Sequence, residues 1–433
     1  MTFLDRALAG ADGDWMYRFA ASLYPICRSI TGDGVRATLR AVGAHLPLTI
    51  HEVPTGTAVL DWIVPREWNV REAWIRGPGG EKIVDFAAHN LHLVSYSVPV
   101  RARMPLAELR PHLHSLPDRP DWIPYRTSYY DENWGFCLPH RQLEALPEGD
   151  YEVCIDASVT EGSLSYGECL VPGRTTDEVL LSAHVCHPSL ANDNLSGIAL
   201  LTALGRALAD ASPRCSYRLL FAPGTIGSIT WLARNRERVG NIRHGVCLSC
   251  VGDGAGPYYK RSRQGSAPVD RAFAHVIATR GRGEVADFFP YGYDERQYCS
   301  PGFDLPVGLF ERSRFGAFPQ YHTSADDLSL IAPEHLAESF AMVAEALDIL
   351  ESDRLLVSTN PHGEPQLGRR GLYQAIGGHS EKADRQMAML WVLNLADGRH
   401  TLLDMAERAA LPFRTVRETA TLLEEHELLR PAR

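Results

Sequence analysis

From residue 151 onward, short apolar runs alternate with longer amphipathic stretches, and this alternation narrows the fold more than any other feature. Runs at 179–183, 217–222, 245–251 and 305–310 read as strands. Stretches at 194–209, 226–238, 269–277 and 335–350 carry apolar residues at helical spacing. Strands that are apolar at every position need cover on both faces, and the intervening helices supply it. The expected fold class is therefore α/β, a mostly parallel sheet with helices on both faces. In such sheets, functional groups collect beyond the carboxyl ends of the strands. The residues after Ala183, Ala222, Val251 and Phe310 are the places to look.

The rest of the chain has other textures. Residues 12–45 are helical, with Trp15, Phe19 and Leu23 on one face and Val35, Leu39 and Val42 on a second short helix. Short strand-like runs split by turns such as Gly77-Pro78-Gly79-Gly80 fill 51–112 and read as a small inserted β-rich domain. An aromatic connector follows at 115–135, with Trp122, Tyr125, Tyr129, Tyr130 and Trp134. It either lines a pocket or packs one module on another. Residues 1–50 and 113–355 then form one split α/β domain, and 356–385 is a turn-rich linker. Residues 386–433 show helix, tight turn, helix, which resembles a winged helix-turn-helix domain.

Composition excludes several classes. A length of 433 residues accommodates about three domains. A net charge of −10, from 43 basic and 53 acidic residues, is the wrong sign for a nucleic-acid coat. Asp5, Asp12 and Asp14 stand where a signal peptide needs a basic start and an apolar core. No window approaches 18 uninterrupted apolar residues, so no membrane span is expected. The nine cysteines are an odd number and read as reduced thiols, and the lone Cys247-Leu-Ser-Cys250 lies in a strand-like run. The expected compartment is the cytoplasm.

The stretch from Ser182 to Gly197 leaves a buried strand and enters a helix. It places His184, Cys186, His187 and Asp193 where that strand opens to solvent. Imidazole and carboxylate together suit Zn²⁺, which takes N and O donors at about 2.0–2.2 Å. A helix cap alone would account for Asp193, though not for His184. His322 in Tyr321-His322-Thr323-Ser324-Ala325-Asp326 is either another ligand or a loop histidine bonded to Asp326. Asp253, after a third strand, is a ligand or a turn residue.

Together these segments resemble the zinc aminopeptidases with a co-catalytic metal pair. In that family His-x-Asp is followed by Asp-Asn-x-Ser-Gly, a Glu-Glu pair, a further Asp, and a late Tyr-His-Thr-x-x-Asp. Here His184, Asp193-Asn194-Leu195-Ser196-Gly197, Asp253 and Tyr321 through Asp326 stand in the same order. A resemblance over nearly the whole chain is to aminopeptidase-like proteins with an inserted β domain and a C-terminal winged helix. Its motifs are the run at 184–197, Trp134-Gly-Phe-Cys137 and Asp294-Glu295-Arg296-Gln297. Such proteins are associated with surface polysaccharide or natural-product biosynthesis. The resemblance implies that His184, Asp193 and Asp253 hold one zinc ion, with Asp193 bridging to a second held by His322.

Two departures stand out. Cys186 replaces the carboxylate that orients the first histidine. The segment from Phe221 to Ser228 has no carboxylate where the family carries its Glu-Glu pair, so the usual general base is missing. One zinc ion, with a second as the alternative, is therefore expected, and Asp294 with Glu295 is the preferred replacement base. The leading expectation is a metal-dependent hydrolase of an amide bond in a small peptide-like or amino-sugar substrate. The alternatives are a metal-binding scaffold without catalysis and a ligand-sensing transcriptional regulator. Residues 389–433 hold six arginines against seven acidic residues, so packing or a homo-oligomer contact is expected of the last domain in preference to DNA binding.

Overall fold

A computed structural model describes residues 3–372 and 380–432, without the side chains of 380–384. Residues 373–379 of the expected linker lie outside the described residues. In chain order the main-sheet strands are β1 (Thr49–Pro54), β2 (Ser163–Val171), β3 (Glu178–His184), β4 (Ser216–Ala222), β5 (Ile242–Leu248), β6 (Tyr258–Lys260), β7 (Glu284–Ala286) and β8 (Val307–Glu311). They lie side by side as β1-β2-β4-β3-β5-β8-β6-β7. The central four, β4-β3-β5-β8, are parallel.

Side-chain alternation explains why β3 and β4 are buried throughout. Val179, Leu181 and Ala183 of β3 join one buried cluster, and Leu180 joins the other. Tyr217, Leu219 and Phe221 of β4 divide from Leu220 and Ala222 in the same way. Each strand thus feeds two cores, one per face. Helices α1 (Gly197–Ala211) and α3 (Pro333–Ser352) supply the first cluster, and α2 (Ile226–Arg234) the second. The α/β class and the covered sheet expected from the sequence are both present.

The small sheet packs against the second cluster. Its strands Lys82–Asp85, Glu67–Arg76, Asp150–Thr160 and Val100–Pro105 are antiparallel neighbours in that order. Its central strand, Asp150–Thr160, lies well past residue 112, while β1 belongs to the main sheet. All nine cysteines are free thiols, eight of them buried. Among the described residues, no helix is long and apolar enough to cross a membrane.

Past α3, the strand Leu355–Ser358 pairs with Asp397–Thr401 and Leu429–Pro431. Helices α4 (Leu402–Ala409) and α5 (Phe413–Glu425) join the helix Ser380–Leu395 in this unit. Leu402, Met405, Val416 and Ala420 share a buried cluster with Phe340 and Leu347 of α3. Arg271 pairs with Asp404 at 2.7 Å and with Glu407 at 2.5 Å. Arg417 of α5 is buried against Asp348 of α3. Burial pushes the Asp348 carboxyl up to about 6, with Arg417 pulling the other way. Arg417→Ala is expected to lower stability by about 3 kcal/mol, the lower end for a broken buried pair, because Asp348 can shed its charge. A urea midpoint equal to the parent's would show that this contact does not hold the two units together.

Candidate metal centre

The site lies where the parallel strands end. His184 is the last residue of β3, and the chain then turns through Ser189, whose φ is +44°. The stretch Ala191–Ser196 follows, and regular helix begins only at Gly197. Asp193 and Asn194 have non-helical dihedrals, and the residue that flanks the helix is Ser196, so Asp193 does not sit at the cap position. The cap-like bond instead runs from the Gly197 N–H to Asn194 Oδ1 at 3.2 Å. Freed from that duty, the Asp193 carboxylate faces two imidazoles. Its Oδ1 is 2.8 Å from His184 Nε2 and its Oδ2 is 3.1 Å from His322 Nε2.

His322 comes from a loop after β8 and sits at φ +55°, a region that non-glycine residues rarely occupy. It bonds to Asp193 and not to Asp326. Asp326 instead accepts the backbone N–H groups of Asn192 at 2.6 Å and Asp193 at 3.0 Å. This clamp fixes the peptide that carries Asp193. Burial, with the Asp193 charge nearby, lifts the Asp326 carboxyl to about 8, while the two N–H bonds work against that rise.

One histidine was quoted in the sequence motif without a role. His187 is buried, and its donor atoms close with those of His184 and Asp193 to within 4.8 Å of one another. Burial lowers its pKa to about 3, although the Asp193 charge opposes this. The ring is therefore neutral near pH 7 and keeps a free lone pair. Burial also opposes ionisation of Asp193. The surrounding histidines outweigh it, His187 foremost, and hold Asp193 well below the usual carboxylate range. Asp253 is buried beside these groups. Its carboxylate takes the Asn192 amide at 2.6 Å and the Ala255 N–H at 2.8 Å.

Aromatic rings close over the cluster. The Tyr125 ring stands edge-on to His187 at 5.3 Å and to His322 at 5.0 Å. The aromatic connector thus lines the site through Tyr125. It is tied there by Tyr125 N–H to His322 O at 2.8 Å and by Ser324 N–H to Ile123 O at 2.8 Å. The Tyr293 ring lies 4.1 Å from His184. Its hydroxyl is 3.1 Å from Cys186 Sγ and 3.3 Å from Gly224 O. The Tyr293 ring also crowds the 221–228 segment that lacks the Glu-Glu pair. A Cβ at Gly224 would stand 2.0 Å from the Tyr293 ring, so no side chain fits there. Cys186, in the place of the orienting carboxylate, is pushed up to about 12 by burial and stays a neutral thiol.

The two acidic residues at 294–295 are neither solvated nor paired with Arg296. Asp294 is buried and accepts from Ser228 Oγ at 2.8 Å. Burial pushes its carboxyl up to about 8, against that hydrogen bond. Glu295 is buried on Lys260 at 2.6 Å and accepts the Tyr293 N–H. Among the described residues, neither bonds His184, Asp193 or His322.

The donor set of two imidazole nitrogens and a carboxylate, buried and close-set, suits a zinc ion. A family profile described as a domain of unknown function (DUF4910) matches residues 17–353. A winged helix-turn-helix profile matches residues 354–431. A Clostridium acetobutylicum protein, named provisionally as a polysaccharide biosynthesis protein with an aminopeptidase-like domain, is 48% identical over 419 residues, 96% of each chain. A crystal structure from the same organism, described provisionally as a peptidase, has a TM-score of 0.93 at 46% identity, covering 99% of this chain and 98% of that one. BSAP, a zinc aminopeptidase from Bacillus subtilis, has a TM-score of 0.57 at 13% identity, over 78% of this chain and 94% of its own. At that identity the likeness is one of fold. The aminopeptidase-like fold and the C-terminal winged helix implied by the sequence motifs are both present.

Proposed function

This chain belongs to the DUF4910 family, and from that premise we propose that it is a metal-dependent hydrolase of amide bonds, of the aminopeptidase or deacylase type. The observation that carries this reading is the buried set of His184, His187 and Asp193, with His322 on the other oxygen of Asp193. Those three residues would hold one zinc ion, and a second is admitted only through His322. When bound, zinc polarises a carbonyl oxygen and acidifies water. Asp253 is assigned to holding the Asn192 turn through its hydrogen bond. Tyr125 and Tyr293 exclude bulk water from the imidazoles they cover. The substrate class is a small peptide-like or amino-sugar compound, and the name of the Clostridium acetobutylicum relative supports a role in polysaccharide biosynthesis. Metal analysis of the purified protein, with a screen of aminoacyl and N-acyl compounds, tests the reading. Zinc without turnover on any of them would sink the hydrolase.

Of the two acidic residues, we assign proton transfer to Asp294, next in the chain to Tyr293. Its carboxyl lies 2.8 Å from Ser228, in the segment that lacks the family's carboxylates, and burial holds it up at about 8, where it can exchange protons near neutrality. Both Glu295 contacts are structural. Asp294→Asn is expected to reduce turnover by about 10²–10⁴-fold with zinc content unchanged. Turnover at the parent's rate would remove Asp294 from the mechanism. The same group leaves a mark on stability. Its folded pKa is raised, so the folded state holds a proton that the unfolded state releases between pH 3.8 and about 8. Stability falls as pH rises through that window. Asp294→Asn is expected to flatten the fall, read as urea midpoints at pH 5 and pH 8.

One observation favours a second reading, a metal-binding protein without catalysis: the Tyr293 ring fills the space beside Gly224. The metal analysis and substrate screen separate the two. For a DNA-reading regulator the support is weaker, because the α5 arginines are engaged within the chain. Arg417 is on Asp348, and Arg414 is on Glu418 and Asp5.

A further inference from the structure

A cavity of about 180 Å³ opens beside the metal centre, between the ends of β6 and β8. It shares a wall with that centre. Phe315 lines the cavity and lies 5.6 Å from Tyr293 and 6.1 Å from Tyr321, the rings that cover His184 and His322. The other walls include the rings of Tyr258, Phe289 and Tyr291. At its base stands Glu311, the last residue of β8, with 1% exposure.

Among the described residues Glu311 forms no ion pair, and its carboxyl accepts the backbone N–H of Phe315. Its Oε1 is buried without a hydrogen-bond partner, and so is the hydroxyl of Tyr258. Two cations, Lys260 and Arg314, line the same cavity, and neither forms an ion pair with Glu311 among the described residues. Lys260 Nζ is held by Glu295 at 2.6 Å, Tyr291 O at 2.8 Å and Phe289 O at 3.4 Å, which uses its three protons. Arg312 turns one nitrogen to Glu338 at 2.8 Å and leaves Nε and a second nitrogen buried without partners, while Arg314 is half-exposed, 5.4 Å from the Tyr258 ring and 3.7 Å from Glu284. Burial and the neighbouring Glu295 charge hold the Glu311 carboxyl well above the ordinary range, with Lys260 opposing them. A buried carboxylate oxygen left unpaired is costly, and such groups in native proteins ask for an explanation.

We propose that this cavity is a subsite for a primary ammonium group on the substrate, with Glu311 as its counter-ion and the aromatic rings as its walls. An ammonium placed there would favour the ionised form of Glu311, which gives up its proton as the cation binds, and would gain further from the faces of the rings. The size of the cavity admits one side chain or one sugar ring and not a longer segment. The inference rests on the hydrolase reading for the word substrate, and it deepens that reading by naming what the substrate carries. The ammonium belongs either to an amino-acid side chain or to an amino sugar.

Calorimetric titration of the full chain with matched pairs tests this. The probes are L-lysinamide against L-norleucinamide, and glucosamine against glucose. At least one amine is expected to bind tenfold or more tighter than its neutral partner. The pair that shows the preference identifies the source of the ammonium. Glu311→Gln is expected to remove the preference and leave the neutral compounds unaffected. Equal affinity within both pairs, no binding of any probe at millimolar concentration, or a preference that survives in Glu311→Gln would overturn the proposal. Glu311→Gln removes a desolvated charge at constant shape, so it is expected to melt no lower than the parent. If it fails to fold, the parent's selectivity alone decides. A chain that selects amines and hydrolyses nothing would sink the hydrolase reading and leave the subsite standing.

Discussion

Asp193→Ala is expected to leave the purified protein without stoichiometric zinc and without hydrolytic activity. Asp193 hydrogen-bonds both imidazoles, His184 at 2.8 Å and His322 at 3.1 Å, and it is 1% exposed. Its removal takes away a donor from the cluster and the negative charge that would balance a cation. Loss of an outer partner of a metal ligand typically weakens binding by about 10–100-fold, so loss of a ligand should exceed that. Asp193→Asn keeps the shape and removes the charge. It is expected to fail nearly as badly, which would separate electrostatics from packing. Zinc titration against a competing chelator reads both variants, and circular dichroism checks that they fold. Full zinc occupancy at unchanged affinity in Asp193→Ala would place the metal elsewhere.

Lys260→Met is expected to destabilise the fold by about 3–5 kcal/mol, the range for removing one partner of a buried ion pair. Lys260 is 1% and Glu295 0% exposed at the side chain, so no solvent shares the load. The variant would leave the Glu295 charge buried near Glu311, a second carboxylate without an ion-pair partner. The double variant Lys260→Met with Glu295→Gln is expected to regain most of the loss, because the stranded charge goes with its partner. Denaturant midpoints of the three variants give the coupling. A single variant as stable as the parent would mean that water reaches Glu295. The consequence reaches the metal centre, since Glu295 also accepts the N–H of Tyr293, whose ring covers His184.

Much of the architecture was legible because the alternation of strand and helix is a strong signal. The runs at 179–183 and 217–222 fall within β3 and β4, and His184 ends β3, where chemistry was sought. Two long strands, Asp150–Thr160 and β2, are not separable in the sequence pattern, and they belong to different sheets. They are joined by a tight turn, and their mixed polarity follows partners in two different sheets. At the candidate metal site, His184, Asp193 and His322, which the resemblance implies as ligands, lie together, whereas Asp253 of the same set bonds Asn192 and Ala255. His187 was visible in the same run, but nothing in one dimension says that its ring turns back toward His184. The missing Glu-Glu pair was visible as an absence. That Tyr293, some seventy positions later, occupies the space beside Gly224 is a three-dimensional fact. Glu311 was marked only as the residue after Phe310, because burial without a counter-ion leaves no trace in a sequence.

The connector at 122–125 has a consequence for how the molecule comes apart. Its backbone is stitched to the loop of His322 by bonds in both directions, Tyr125 N–H to His322 O and Ser324 N–H to Ile123 O. The connector lies between strands of the small sheet in the chain, after Val100–Pro105 and before Asp150–Thr160. The small sheet is therefore a splint for the His322 loop and not a removable ornament. A protease nick or a deletion there would release the clasp and with it the imidazole that faces Asp193. Modularity read along the chain and modularity of unfolding are different things in this protein. The pieces that look separable by sequence are expected to lose their structure in one cooperative step.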